Sequence, residues 1–140
     1  MRTNAITPLT TLHHVPLFAS CTRKELQSIV ASGDEVSLAA GKALIEQGQL
    51  GREAFIVLKG IVSVRKNGRR IARLGAGSIV GELALLDNGP RTASVVCDTD
   101  VDVFVLDQRH FQKVLDEIPT LTRKLLTQLA GRVRELTKEI

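Results

Sequence analysis

The chain has 140 residues, 44% of them hydrophobic and 24% charged, with a formal net charge of +4. That balance fits one soluble globular domain able to bury roughly two-thirds of its unfolded surface, and it excludes both a long multi-domain enzyme and general disorder. Four phenylalanines without a tryptophan or tyrosine leave the core to Val, Leu, Ile and Ala, and exclude an aromatic stacking platform for single-stranded nucleic acid.

Two helices are expected within residues 7–32. Thr7-Pro8 opens the first with a capping hydroxyl and a proline at the first helical position. Leu9, Leu12 and His13 form its inner side, and Val15-Pro16 ends it. Thr22 and Glu25 have capping-box spacing at the start of the second, where Leu26, Ile29 and Val30 make the apolar stripe. Ser32-Gly33-Asp34 stops it.

From residue 35 to 106 the pattern changes to short apolar or alternating runs separated by nine glycines. Such spacing predicts an all-β sandwich or barrel. Strands are expected at 55–58, 61–64, 71–74, 93–96 and 101–106, with a tight hairpin at Asn67-Gly68. Helices resume over 107–140. Asp107 caps one through residue 115, whose apolar side is Phe111, Val114 and Leu115. Pro119-Thr120 opens the last. In it Leu126, Leu129, Val133, Leu136 and Ile140 keep heptad spacing, while Leu121, Leu125 and Leu129 make a second stripe. One face fits the β domain and the other a second copy, so a homodimer is expected. With no repeat or linker, residues 1–140 read as a single domain.

The charge excess includes this last helix: after Pro119, Arg123, Lys124, Arg132, Arg134 and Lys138 outnumber Glu135 and Glu139. Without a dense Lys/Arg run this reads as a solvated face rather than a nucleic-acid or lipid footprint. Cys21 and Cys97 form neither a disulfide framework nor a metal motif. No signal-peptide pattern or membrane-length apolar run is present, so a cytoplasmic protein without membrane contact is expected.

The chemistry concentrates between Gly75 and Ala93. Gly81 frees the backbone before a short helical piece at 83–86, whose first N–H groups lack internal partners and suit an anion. Asp87-Asn88-Gly89-Pro90 turns the chain back to Arg91, whose planar fork pairs with phosphate oxygens. Thr92 adds a hydroxyl, and Ala93 leaves room and a backbone N–H. Glu82 repels phosphate but accepts a hydrogen bond from a sugar hydroxyl. Beside apolar strands, these groups outline a nucleotide pocket. Gly75, Gly77 and Gly81 miss the dinucleotide-fold spacing, and no Walker A Gly-Lys-Ser/Thr occurs.

Gly81-Glu82-Leu83-Ala84 followed by Pro90-Arg91-Thr92-Ala93 resembles the phosphate-binding cassette of the cyclic nucleotide-binding domain family. Leu12 with Val15-Pro16-Leu17-Phe18, Gly48 with Gly51, and Phe55-Ile56-Val57-Leu58-Lys59-Gly60 extend the resemblance over about residues 12–119. It implies a mainly β fold: an eight-stranded β-roll or jelly roll (double-stranded β-helix) with N-terminal helices and a C-terminal helix. It also implies that Arg91 binds the cyclic phosphate, Glu82 the ribose 2′-hydroxyl, and Gly81, Leu83 and Ala84 offer backbone contacts. Val64, Ile71 and Ala72 match positions lining the base pocket. Thr92 stands where some eukaryotic members use threonine to favour cGMP; cAMP is nevertheless expected ahead of cGMP as the ligand. The implied role is a stand-alone sensor that signals through its C-terminal helix to an effector protein. The alternative is an interaction module related to transcription regulators that acts through a partner without cyclic nucleotide.

Two features depart from the family pattern. Val80 replaces a usual aromatic, which predicts looser packing of the cassette. The chain ends at Ile140, where bacterial regulators continue into a helix-turn-helix, so direct DNA binding is not expected. The adjacent histidines, His13 and His14, point different ways on a helix and make no metal site. Asp98, Asp100, Asp102 and Asp107 lack the glycine and glutamate of a calcium loop. The β region lacks the clustered histidines of a jelly-roll metalloenzyme, and no nucleophile–base set is evident. No catalytic residue, metal or catalytic cofactor is therefore expected.

Overall fold

The computed structural model describes residues 6–138, with eight strands in two four-stranded antiparallel sheets and helices at both ends. Helices α1 (Ile6–His13) and α2 (Arg23–Ala31) precede the strands, with a 3-10 turn at Pro16–Phe18 between them. The strands are β1 (Asp34–Leu38), β2 (Ala43–Ile45), β3 (Glu53–Lys59), β4 (Val62–Lys66), β5 (Arg69–Leu74), β6 (Ile79–Val80), β7 (Ser94–Cys97) and β8 (Val101–Asp107). Helices α3 (Gln108–Glu117) and α4 (Pro119–Leu136) follow. One sheet runs β1-β8-β3-β6 and the other β2-β7-β4-β5. The expected β-roll with flanking helices is what forms.

The capping signals act as read. The Thr22 hydroxyl accepts from Glu25 N–H at 3.1 Å, and the Glu25 carboxylate accepts from Thr22 N–H at 2.8 Å. Asp107 accepts from His110 N–H at 2.8 Å. Asn67 and Gly68 both take positive φ, 53° and 81°, closing the β4–β5 hairpin. The N-terminal start differs: α1 already includes Ile6, so Thr7 lies within the helix.

Strand β3 shows how the core is divided. Ala54 to Leu58 are all buried because β3 has protein on both faces. Ala54, Ile56 and Leu58, with Phe104 and Leu106 of β8, pack against the helices. Phe55 and Val57, with Val101 and Val103, face the opposite sheet and Ile45, Val62, Val95 and Cys97. The first sheet therefore joins two cores and couples the interior of the roll to the helices around it.

Helix α4 is fixed by Leu121 and Leu125, both buried, and by an ion pair. Glu25, only 7% exposed, accepts from Lys124 Nζ at 2.9 Å and from the Thr120 hydroxyl at 3.1 Å. Burial raises the Glu25 pKa, but these bonds and the one from Thr22 N–H outweigh it and hold the carboxyl below its usual range. The second apolar stripe is open: Leu126, Val133 and Leu136 are 63%, 58% and 84% exposed. Leu129 packs partly on the core, and Ile140 lies outside the described residues.

Candidate functional site

Strand β6 ends at Gly81, whose φ of 75° lies in the left-handed region that glycine tolerates. A 3-10 turn, Glu82–Leu85, follows, beginning just before the expected piece at 83–86. Its first internal hydrogen bond is donated by Ala84 N–H to Gly81 O, so the N–H groups of Glu82 and Leu83 precede it. The chain loops through 86–93 into β7.

Arg91 lies across this loop. Its Nη2 donates to Glu53 O at 2.8 Å and its Nη1 to Gly81 O at 3.4 Å. Its main chain is clamped too: Arg91 N–H donates to Gln49 O, and Gly48 N–H to Arg91 O, both at 2.8 Å. Glycine is needed where the guanidinium passes. A Cβ on Gly51 would stand 2.5 Å from it, and one on Gly81 2.6 Å from Nη1. Partial burial lowers the Arg91 pKa, opposed by the charge of Glu53. Among the described residues no carboxylate lies within ion-pair distance of Arg91, so this half-buried cation is held by carbonyls alone.

Glu82 faces a different neighbour. Its Oε2 is 3.5 Å from Nη1 of Arg132 on α4. The final helix thus touches the carboxylate of the cassette directly. Behind the turn, Gln108 Nε2 donates to Ala84 O at 3.0 Å and Asp87 O at 3.2 Å, tying the cassette to the start of α3.

A cavity of about 250 Å³ brings Gly81, Glu82, Arg91, Thr92 and Ala93 together with an apolar wall of Ile45, Val64, Leu74, Ile79, Val80 and Val95. A second, of about 290 Å³, shares Gly81, Glu82, Arg91 and Thr92 and adds Leu83 and Ala84. Each is near the lower end of ordinary ligand pockets, about 300–1,000 Å³. A larger hollow of about 830 Å³ lies between Arg52, Glu53, Asp107 and Arg109. It lacks an apolar wall, so size does not mark the chemistry.

One expected wall residue sits elsewhere, and another lies beside the cavity on the face that carries Val64 and Leu74. Ile71 is 60% exposed, and Ala72 pairs with Val64 but does not line either cavity. Leu74 fills that place on β5. Sequence reading did not assign Ile45, Leu74, Ile79, Val80 and Val95 to the cavity wall, nor Arg132 to the contact with Glu82, and it gave Gly51 no role beside Arg91. Among the described residues no group of three or more His, Cys, Asp or Glu is placed to hold a metal, and no helix is long and apolar enough to cross a membrane.

The model of the cyclic nucleotide-binding domain matches residues 35–117. The chain belongs to this family. Mouse potassium/sodium hyperpolarization-activated cyclic nucleotide-gated channel 3 is 33% identical over 126 residues, which cover 90% of this chain and 16% of the channel. The chain therefore spans a small part of that relative. The N-terminal domain of a Streptomyces coelicolor transcriptional regulator superposes with a TM-score of 0.85 at 32% identity, covering 93% of this chain and 96% of that one. The regulatory domain of Toxoplasma gondii PKA, solved with cAMP, gives 0.74 at 28% identity, covering 81% and 46%. Within this cyclic nucleotide-binding domain, the stretch from Gly81 to Ala93 occupies the turn between β6 and β7.

Proposed function

We propose that this domain binds a cyclic nucleotide, cAMP ahead of cGMP, and reports occupancy through α4. The observation that carries the reading is Arg91: a partly buried guanidinium without a carboxylate partner, beside Gly81, Glu82 and an apolar cavity. The cyclic phosphate takes the donors of Arg91 that the carbonyls leave free, with backbone N–H groups of the turn at Glu82 and Leu83 assisting. Glu82 accepts from the ribose 2′-hydroxyl. The base lies on Val64, Leu74 and the neighbouring aliphatic side chains, with Thr92 and Ala93 at the rim. The cAMP carried by the T. gondii relative favours the adenine nucleotide, and the Thr92 hydroxyl is the group through which cGMP competes.

Coupling to α4 runs through Glu82. Its Oε2 faces Arg132 while Oε1 remains available to the sugar, so ligand and helix meet at one carboxylate. Helix α4 moves only to the extent that ligand binds its two positions unequally. The same reading assigns an effector or a second copy to the exposed stripe on α4. It places the domain in the cytoplasm, a reducing setting that suits the free thiols Cys21 and Cys97.

Calorimetry with cAMP and cGMP tests the assignment. Arg91→Ala loses charge-assisted bonds worth about 1.5–3 kcal/mol each, so affinity falls at least ~30-fold. Unchanged affinity in the variant, or no saturable binding by the folded wild-type chain, overturns the reading.

A further inference from the structure

The β4–β5 hairpin holds charge that nucleotide binding leaves unused. Arg65, Lys66, Arg69, Arg70 and Arg73 fall in nine residues without an acid; the rest of the chain has fourteen cations against fifteen anions. All five are exposed. The register sets Arg65 opposite Arg70 and Lys66 opposite Arg69, and like charges directly opposite one another destabilise a sheet. Among the described residues only Arg73 of the five has an ion-pair partner, Asp98 at 3.3 Å; Arg70 acts on the same carboxylate from farther away. Protection of a free edge explains part of this pattern, because β5 ends its sheet and charge blunts an edge. It does not explain Arg65 and Lys66, since β4 lies between β5 and β7.

The array is also held in place. Gln47 and Asn67 exchange two hydrogen bonds of 2.9 Å that pin the hairpin tip to the β2–β3 loop. Ile71, 60% exposed, sits among the cations where the β4–β5 register shifts.

We propose that this hairpin is a docking surface for an acidic segment of a partner protein, with the guanidinium groups taking carboxylates and Ile71 taking an apolar side chain. Arginine, four of the five cations, suits bidentate pairing with carboxylates. An apolar anchor among arginines is also the composition of a protein–protein contact. A nucleic acid fits less well. The five cations span only ~10 Å of ladder, from the Arg73 rung to the Arg69 rung, at about 3.3 Å per residue, and a backbone running beyond them meets a remainder whose charge is net negative.

Fluorescence anisotropy on the whole chain tests this with two labelled probes: a glutamate-rich peptide carrying one central isoleucine, and a DNA duplex. The peptide is expected to bind in a salt-sensitive manner and to outcompete the duplex. Arg69→Glu/Arg70→Glu weakens it at least ~10-fold, whereas Arg123→Glu/Arg134→Glu on α4 leaves it within about twofold. The hairpin variant also melts higher, because each new carboxylate faces Lys66 or Arg65 across the ladder. Losing the probe while gaining stability separates a lost surface from a damaged fold. The proposal is overturned if the wild-type chain does not bind the peptide, if both variants lose it equally, if the hairpin variant keeps it or melts lower, or if the duplex binds more tightly. None of these outcomes depends on cyclic nucleotide binding.

Discussion

Arg91 and Arg132 both reach the turn that begins at Gly81, and their surroundings assign them different weights. Arg91 is partly buried and held by main-chain carbonyls, so an anion there gains strong, well-directed bonds. Arg132 reaches Glu82 at 3.5 Å with its side chain 39% exposed, and exposed pairs contribute about 0.2–1 kcal/mol. Arg132→Ala is accordingly expected to weaken cAMP binding about 2- to 5-fold, far less than Arg91→Ala, and to speed amide exchange in the C-terminal half of α4. Calorimetry and hydrogen exchange check both parts; tighter binding by the variant would make Arg132 a competitor of the sugar instead. Arg91 and Glu82 were legible in the sequence because a glycine, a carboxylate, a tight turn and an arginine follow one another in a short stretch. Arg132 was not, because its contact with Glu82 spans 50 residues and depends on how α4 crosses the roll. Ile71, placed on the base-pocket wall by the family resemblance, is 60% exposed in this structure. The register shift between Val64 and Arg65 changes which side chains of β5 face inward, and alternation alone does not reveal a bulge.

At the scale of elements, caps and periodicity located the helices and the long strands, whereas β1, β2 and β6 escaped. β6 has two residues and β2 three, too short for a pattern. β1 is largely exposed and is held by its pairing with β8, not by its own composition. The sequence also held no sign that Glu25, read as a cap, would anchor α4 through Lys124. That anchor has a pH signature. Because the folded pKa of Glu25 is lowered, its stabilisation is full above the unfolded carboxylate value of about 4.3 and disappears as pH falls through the lower folded value. Glu25→Gln keeps an acceptor for Thr22 N–H but loses the charge facing Lys124, for a cost of about 1–2 kcal/mol near neutral pH. Thermal melts of the two proteins between about pH 6 and pH 3 should therefore converge in acid. A constant gap across that range would show that the charge of Glu25 contributes nothing.

The whole molecule presents α4 as a helix with two obligations. Leu121 and Leu125 bury one side on the domain, while Leu126, Val133 and Leu136 remain open. The stripe is narrower than its spacing implied, because Leu129 is partly claimed by the core. About two heptads are too short to pair as isolated helices, but a folded domain already pays the cost of forming the helix. Light scattering is expected to give twice the chain mass for the wild type and a single mass for Leu126→Lys/Val133→Lys, which still unfolds cooperatively but at a lower temperature because it loses the stabilisation that association gives; a wild-type monomer would refute the dimer. Arg132 adjoins Val133, so the contact at Glu82 and the exposed apolar stripe share one turn of helix. Any effect of cAMP on dimerisation must then be matched by an equal effect of dimerisation on cAMP affinity. The lysine variant supplies the second half of that cycle, and a ligand-dependent dimer whose monomeric variant binds cAMP with unchanged affinity would break the link between the two faces of α4.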